Sequence, residues 1–377
     1  MQGDEITRMK IENMRIYGED FKFHAGSISF DGDTITDVAY DDSLDASGKD
    51  MVIPGLIDLH FHGCDGCDFT DGTFEAIEKM AEYEAKNGVT AICPSTMPVS
   101  DEQLMKAFRA AASYESSKGA ELIGINMEGP YLTHEKAGGN DPRYLKKPSI
   151  EEFEKFQSAA SGKIKIVDIA PDTEGAAEFI RDVSKTVVIS LAHTPADYEK
   201  TMEGFRLGAS LVTHLFNGMA PFSHRETGLV GAAMDAGAYV ELICDGRHVS
   251  DPMLRAAYRI FGEEKIIIIS DSLSCTGLPD GVYPMGELVV TVKNGLGFLD
   301  DGTIAGASAN AFDGLRHLVG CGIPVESAVR MATYNPAKVL NVLDRLGTLS
   351  IGKTASFLVL NDNMELKSVY LKGRRIV

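Results

Sequence analysis

Four apolar, β-branched runs between positions 187 and 271 share one design. VVISLAH, SLVTHLFN, AYVELICDGRHV and KIIIISDS each end in His or Asp, or meet one within a few residues. Each is separated from the next by a length that fits one helix. Parallel strands alternating with helices deliver their C-terminal ends to one rim, so His193, His214, His248 and Asp271 are expected to converge although they lie far apart in sequence. The alternation extends upstream: apolar runs at 52–58, 89–94, 121–127 and 163–170 precede those at 187–191, 210–213, 239–244 and 265–270, eight in all. Intervening stretches such as FEAIEKMAEYEAKNG, DEQLMKAFRAAASYESSKG and TMEGFRLG carry helical periodicity and close on Gly, as helix C-termini do. Eight such units predict an α/β fold, a TIM (β/α)8 barrel whose chemistry sits on the loops after its strands.

The two ends read differently. KIENMRIYG, FKFHAGSISF and DTITDVAY, between Met9 and Tyr40, are short strand patterns separated by Gly/Asp turns. The C-terminal ASFLVLNDNMELKSVYLKGRRIV has the same character, with Asn361-Asp362-Asn363 as a turn between two strands. The simplest arrangement pairs both ends into a small β-sandwich (residues 1–51 and 346–377) beside a barrel over 52–345.

A chain of 377 residues suits one barrel with an appendage, and 24% charged with 44% hydrophobic residues is globular usage. No apolar run reaches about 18 residues, and MQGDEITRMK has no apolar signal segment, so a cytoplasmic location without a membrane span is expected. The net charge of -19 opposes nucleic acid and anionic membranes as partners. An anionic substrate would then depend on local Arg, His or backbone donors. The six cysteines are expected to be reduced. Cys64-x-x-Cys67 has no second CxxC to complete a structural zinc site, and its spacing from His60 and His62 matches no common ligand pattern, which favours ordinary loop thiols.

Candidate chemistry gathers at the strand ends. His60 and His62 follow the first strand two residues apart, so both imidazoles can share a face and hold one metal, although an HxH alone fits a structural role equally well. NMEGPY brings Glu128 to the same rim, where a carboxylate is costly to bury unpaired. With His193 and His214 added, one carboxylate and several imidazoles suit a divalent ion such as Zn²⁺ or Fe²⁺. Asp271 closes the eighth strand. A metal lowers the pKa of its water from about 15.7 toward about 7, and a neighbouring carboxylate can take that proton and return it to a leaving amine, which is amide-hydrolysis chemistry. The competing reading of Asp271 is a helix N-cap. His24, His134, His224 and His317 carry no expected catalytic role.

At these residues a family resemblance becomes specific. PGLIDLHFHG, NMEGPY, LAH, THLFNGMAP, ICDGRHV, SDS and TIAGAS stand in the order and spacing of the amidohydrolase superfamily and most closely resemble its N-acetylglucosamine-6-phosphate deacetylase family. The resemblance covers nearly the whole chain. It implies hydrolysis of N-acetylglucosamine 6-phosphate to glucosamine 6-phosphate and acetate by a cytoplasmic homodimer. It also implies Glu128, His193 and His214 as main metal ligands, His60 and His62 as a second metal position found in part of the family, and one or two ions per subunit. Asp271 would be the general base and acid, and His248 would bind near the reacting end of the substrate. Asn217 and Gly218 would meet the phosphate, Arg225 would reach the phosphate of the neighbouring subunit, and the loop at Ile304, Ala305 and Gly306 would close over the sugar.

Some positions depart from the family pattern. AGGNDP, in which Gly139 is a further substrate-binding candidate, places Asn140 where many members have a His, and Asn140 can hydrogen-bond a hydroxyl but cannot carry a proton. Ser272 stands where Ala is frequent, and Gly306-Ala307-Ser308 varies the segment after TIAG. Two rival readings fit the same pattern. Another amidohydrolase, a cyclic amidase or an acyl-amino-acid deacylase, usually bridges two metals with a lysine, whereas the third and fourth strands offer Glu128 and no obvious strand-end Lys. A non-catalytic scaffold typically drops metal ligands, and none is missing here.

Overall fold

The computed structural model describes residues 9–41, 43, 47–116, 118–286 and 288–377. Six apolar strands, Ile125–Glu128, Ile164–Ile169, Val188–Leu191, Leu211–Val212, Tyr239–Ile243 and Ile266–Ile269, pair in that order, all parallel. Leu56–Asp58, Val89–Ile92 and Glu121–Leu122 form a second parallel sheet. A Ser95–Asn126 bridge joins the two on one side. On the other, the Asp271 N–H donates to His60 O at 3.0 Å and the His62 N–H to Ser272 O at 2.8 Å. The parallel sheet is therefore strongly curled.

Period-two alternation decides what lies inside the curl. Ile57, Ala91, Ile166, Leu211, Ile243 and Ile267, from six different strands, pack together with Leu340 and Leu346. Their neighbours Leu56, Ile92, Val167, Val212, Leu242 and Ile268 belong to the larger cluster shared with the helices. The parity that turns Ile166 and Ile243 inward turns Asp168 and Glu241 inward too, and both are fully buried. The covering helices start where side chains can satisfy their orphan N–H groups. Thr73, Ser100, Ser149 and Asp197 each accept from the backbone three residues on, ahead of Phe74–Lys86, Asp101–Ser113, Ile150–Ala159 and Tyr198–Leu207, each cap being worth about 1 kcal/mol.

Four sequence expectations change. The run over 52–58 breaks at Gly55: Met51–Pro54 pairs parallel with Met9–Tyr17 and antiparallel with Phe357–Leu360, while Leu56–Asp58 enters the curled sheet. Every residue from Met51 to Asp58 is buried, so the apolar run hides the change of partner. The run over 121–127 likewise divides into Glu121–Leu122 and Ile125–Glu128.

The ends form one seven-stranded sheet, not two stacked ones. Its order is Arg374–Arg375, Leu366–Leu371, Phe357–Leu360, Met51–Pro54, Met9–Tyr17, Phe23–Asp31, Thr34–Tyr40. A Thr34–Thr354 bridge folds it back on itself around Ile16, Ile28, Phe30 and Phe357, so one sheet supplies the core that a sandwich would build from two.

Finally, Gly281–Met285, Leu288–Lys293, Leu296–Phe298 and Ile304–Ala307 make an antiparallel sheet of their own. Ile304, Ala305 and Gly306, expected as a closing loop, lie on its last strand. The signal for this sheet was the alternation in LVVTVK followed by Asn294-Gly295, both at positive φ, the hairpin turn dipeptide. Among the described residues no helix is long and apolar enough to cross a membrane, and all six cysteines are free. Cys64 and Cys67 face each other across a two-stranded turn, and burial pushes the Cys64 thiol well above its ordinary range, as suits an unreactive structural thiol.

Candidate metal centre and active-site cavity

The site residues sit where their strands end. Glu128 is the last residue of Ile125–Glu128, and His193, His214 and Asp271 each lie two residues past a strand. These three share a left-handed backbone, φ 45°, 28° and 49°. For residues with a β-carbon this costs about 1–3 kcal/mol each and is tolerated where the surroundings fix it. It turns each side chain from the strand direction over the mouth of the curl.

Glu128 is the hub. Its Oε1 lies 2.8 Å from His193 Nε2 and 3.4 Å from His214 Nε2, and its Oε2 lies 3.1 Å from His60 Nε2 and 3.0 Å from His62 Nε2. The donors fall into two sets that share this carboxylate: Glu128 with His193 and His214, and Glu128 with His60 and His62. His193 Nε2 and His214 Nε2 are 3.0 Å apart, a separation that two nitrogen lone pairs tolerate only with a proton or a cation between them. His193 Nδ1 must donate to the Lys136 carbonyl at 2.6 Å, which leaves its Nε2 lone pair for a metal. This donor set fits a divalent cation, and the residues present can hold one or two. Asp271 completes the group, with Oδ1 3.3 Å from His62 Nε2 and 3.6 Å from His60 Nε2.

The electrostatics follow from packing carboxylates among imidazoles. Burial opposes the charge on Glu128, yet the charge of His60 and hydrogen bonds from His193, His214 and His60 hold it well below the usual carboxylate range. Burial also opposes the charge on His62, but Asp271 and Glu128 outweigh it and raise its pKa from 6.5 to about 10. Ligation needs the neutral ring, so below about pH 10 a metal ion must displace that proton. Uptake of Zn²⁺ is therefore expected to release protons, with affinity rising as pH rises. Equal affinities at about pH 6 and about pH 8, with no acidification during titration, would contradict this.

Sequence reasoning missed Glu241. Its Oε2 accepts from His60 Nδ1 at 2.9 Å and from the His214 backbone N–H at 3.2 Å, so one buried oxygen orients a ligand in each half of the cluster. The available signal was a carboxylate on the inward parity of AYVELI. Partners of this kind fix the tautomer and ring orientation of metal-binding histidines. Glu241→Gln is expected to weaken metal binding by about 10- to 100-fold, read by competition with a chelator. Unchanged affinity would confine Glu241 to packing.

Above the cluster lies a cavity of about 250 Å³. Of the expected residues, His62, Glu128, Gly139, Asn140, His193, His214, Asn217, Gly218, His248, Asp271, Ile304, Ala305 and Gly306 line it, together with Met97, Gly138 and Thr303, which the sequence did not single out. His60 is fully buried beneath the floor. Arg225 lies outside the lining, in an exposed segment over 221–226. Two walls meet at Gly139, where a β-carbon would stand 2.9 Å from Ala305 Cα, so only glycine allows this approach. Asn140 Nδ2 is 3.5 Å from His193 Nε2. His248 Nδ1 is paired with Asp245 Oδ2 at 2.8 Å; burial disfavours the imidazolium, but Asp245 outweighs it and raises the pKa.

The Amidohydrolase family matches residues 51–376. The chain is 33% identical over 330 residues to N-acetylglucosamine-6-phosphate deacetylase of Vibrio furnissii, covering 86% of this chain and 82% of that protein. It is 30% identical over 337 residues to N-acetylgalactosamine-6-phosphate deacetylase of Escherichia coli O157:H7, covering 88% and 89%. The fold is similar, with a TM-score of 0.92, 29% identity and coverage of 98% and 100%, to an aspartate-to-alanine variant of N-acetyl-D-glucosamine-6-phosphate deacetylase from Mycobacterium smegmatis in complex with N-acetyl-D-glucosamine-6-phosphate.

Proposed function

The chain belongs to the amidohydrolase family, and from that premise we propose that it hydrolyses the acetamide of N-acetyl-D-glucosamine 6-phosphate to D-glucosamine 6-phosphate and acetate. The observation that carries this reading is the meeting of Glu128 with His60, His62, His193, His214 and Asp271 at one cavity, all but the buried His60 lining it. A divalent ion held by these side chains, Zn²⁺ or Fe²⁺, would polarise the amide carbonyl and acidify the attacking water.

The protein's own groups do the rest. Asp271 Oδ1 accepts the proton of the attacking water and returns it to the amide nitrogen as the C–N bond breaks, so the amine leaves neutral. His248, held by Asp245, donates to the substrate beside the reacting carbonyl. Gly139 and Asn140 on one wall and Ile304, Ala305 and Gly306 on the other confine the sugar and exclude water. The Ser95–Asn126 bridge and the Asp271-to-His60 hydrogen bond support closure of the two parallel sheets into a (β/α)8 barrel, with the terminal sheet as a separate domain. Expected surroundings are the cytoplasm, as a homodimer.

The test is acetate release from N-acetylated hexosamines with and without a 6-phosphate, in the gluco and galacto series. Preference for the phosphorylated glucosamine derivative is expected. Preference for the galacto epimer would reassign the substrate, and no release from any of them would remove the deacetylase reading.

Phosphate recognition poses an electrostatic problem, since a chain of net charge -19 repels a dianion at long range. Short-range donors must supply the affinity: Asn217 and Gly218 at the cavity wall and, across a dimer interface, Arg225 on its exposed segment, whose guanidinium fork suits phosphate. Arg225→Ala is expected to raise KM for the phosphorylated sugar by about 10- to 100-fold, or about 1.4–3 kcal/mol, while barely changing turnover of the unphosphorylated sugar. Equal losses on both substrates would make Arg225 a structural residue.

A further inference from the structure

Away from the Glu128 cluster, three metal-binding side chains meet where two helices approach. Asp251 opens the Asp251–Phe261 helix, while His317 lies on Ala311–Gly320 and Cys321 caps that helix. Positions four apart share a helix face, so the imidazole and the thiol face Asp251 together. His317 Nε2 is 3.0 Å from Asp251 Oδ1, and nitrogen, sulfur and carboxylate oxygen all lie within 4.8 Å of one another. Bonds of about 2.0–2.3 Å in tetrahedral geometry place zinc ligands roughly 3–4 Å apart; the His317–Asp251 pair falls in that range, and a thiol within 4.8 Å of both is close enough to be drawn onto the same ion. Asp251 is exposed and the other two half-exposed, so solvent and a dissolved ion can reach the trio.

We propose that Asp251, His317 and Cys321 form a peripheral site for a zinc-type divalent cation, with water as the fourth ligand. The mixed N, S and O donor set selects against Mg²⁺ and Ca²⁺, which take oxygen ligands. On binding, the Cys321 S–H proton goes to solvent as the metal–sulfur bond forms, with no redox change. The site also has a place in the architecture. A β-carbon at Gly246 would stand 2.4 Å from His317 Cε1, so the His317 ring lies directly against the 245–248 turn. His248 of that turn lines the cavity. An ion at this site would tie both helices together behind a wall of the central site. The proposal rests on donor geometry and stands whether or not the hydrolase reading holds.

Cobalt substitution of the full-length protein tests it. The central donors, His60, His62, Glu128, His193 and His214, include no cysteine, so a thiolate-to-cobalt charge-transfer band in the near ultraviolet reports the peripheral site alone. The wild type is expected to show this band and to bind one Co²⁺ more than Cys321→Ser, which loses the band and keeps the central ions. His317→Gln, which retains the thiol, is expected to weaken the band-forming Co²⁺ by about tenfold or more. If Cys321→Ser also loses its central ions through misfolding, His317→Gln decides. Absence of the band in wild type, or an unchanged band and metal count in the variants, overturns the proposal and leaves a hydrogen-bonded surface trio.

Discussion

An Asp271→Asn variant is expected to keep its metal and its substrate affinity while kcat falls by roughly 10²-fold or more. Asp271 stands at the rim of the cavity, within 3.6 Å of both His60 and His62. Burial opposes its charge, but the hydrogen bond from His62 and the charges of His60, His62 and His214 hold it below the ordinary carboxylate range, so it meets the reaction as a base. Asparagine preserves the shape of the side chain but carries neither the negative charge nor the basic oxygen that takes the proton. A loss confined to kcat marks an interaction needed in the transition state and not in the ground state. The acidic limb of the pH profile should disappear with the side chain, because that limb reports protonation of the base. A folded, metal-replete variant with kcat within about threefold of wild type would move proton transfer to another group.

Glu128→Gln is expected to abolish metal binding and activity together. Each oxygen of Glu128 serves a different pair of imidazoles, Oε1 with His193 and His214 and Oε2 with His60 and His62. Glutamine turns one oxygen into an NH₂ donor aimed at two ring nitrogens and removes the charge that offsets a dication, so neither half survives. Activity should fall by roughly 10³-fold or more, since the pKa of the attacking water returns from about 7 toward about 15.7. His60→Asn combined with His62→Asn should lower the content from two ions toward one, leaving Glu128, His193 and His214 intact. Elemental analysis separates the cases: full metal content in Glu128→Gln would mean that these residues are not the metal centre.

Much of this architecture was legible because strand ends and chemistry coincide. His193, His214 and Asp271 each follow an apolar run too short to be a helix, so one rim could be read from three separate stretches. Glu241 was harder. It sits inside a run, and its partner His60 lies 181 residues away, so only the parity of Tyr239, Glu241 and Ile243 pointed inward. The break at Gly55 was hidden for a different reason. Met51–Pro54 and Leu56–Asp58 are both buried, and burial is blind to which sheet a strand joins. The sheet over 281–307 carried its own hairpin signal, but the expectation of a loop at Ile304, Ala305 and Gly306 masked it.

The position of Met51–Pro54 also bears on how the chain is made. This strand lies between Met9–Tyr17, which precedes it, and Phe357–Leu360, which follows some three hundred residues later. A ribosome adding about 5–20 residues per second needs roughly 15–60 s to cover that distance. Throughout that interval Met51–Pro54 presents an unpaired apolar edge, joined through Gly55 to the first strand of the curled sheet. Completion of the terminal sheet must therefore wait until Phe357–Leu360 has been made, and until then that edge is open to pairing with other chains.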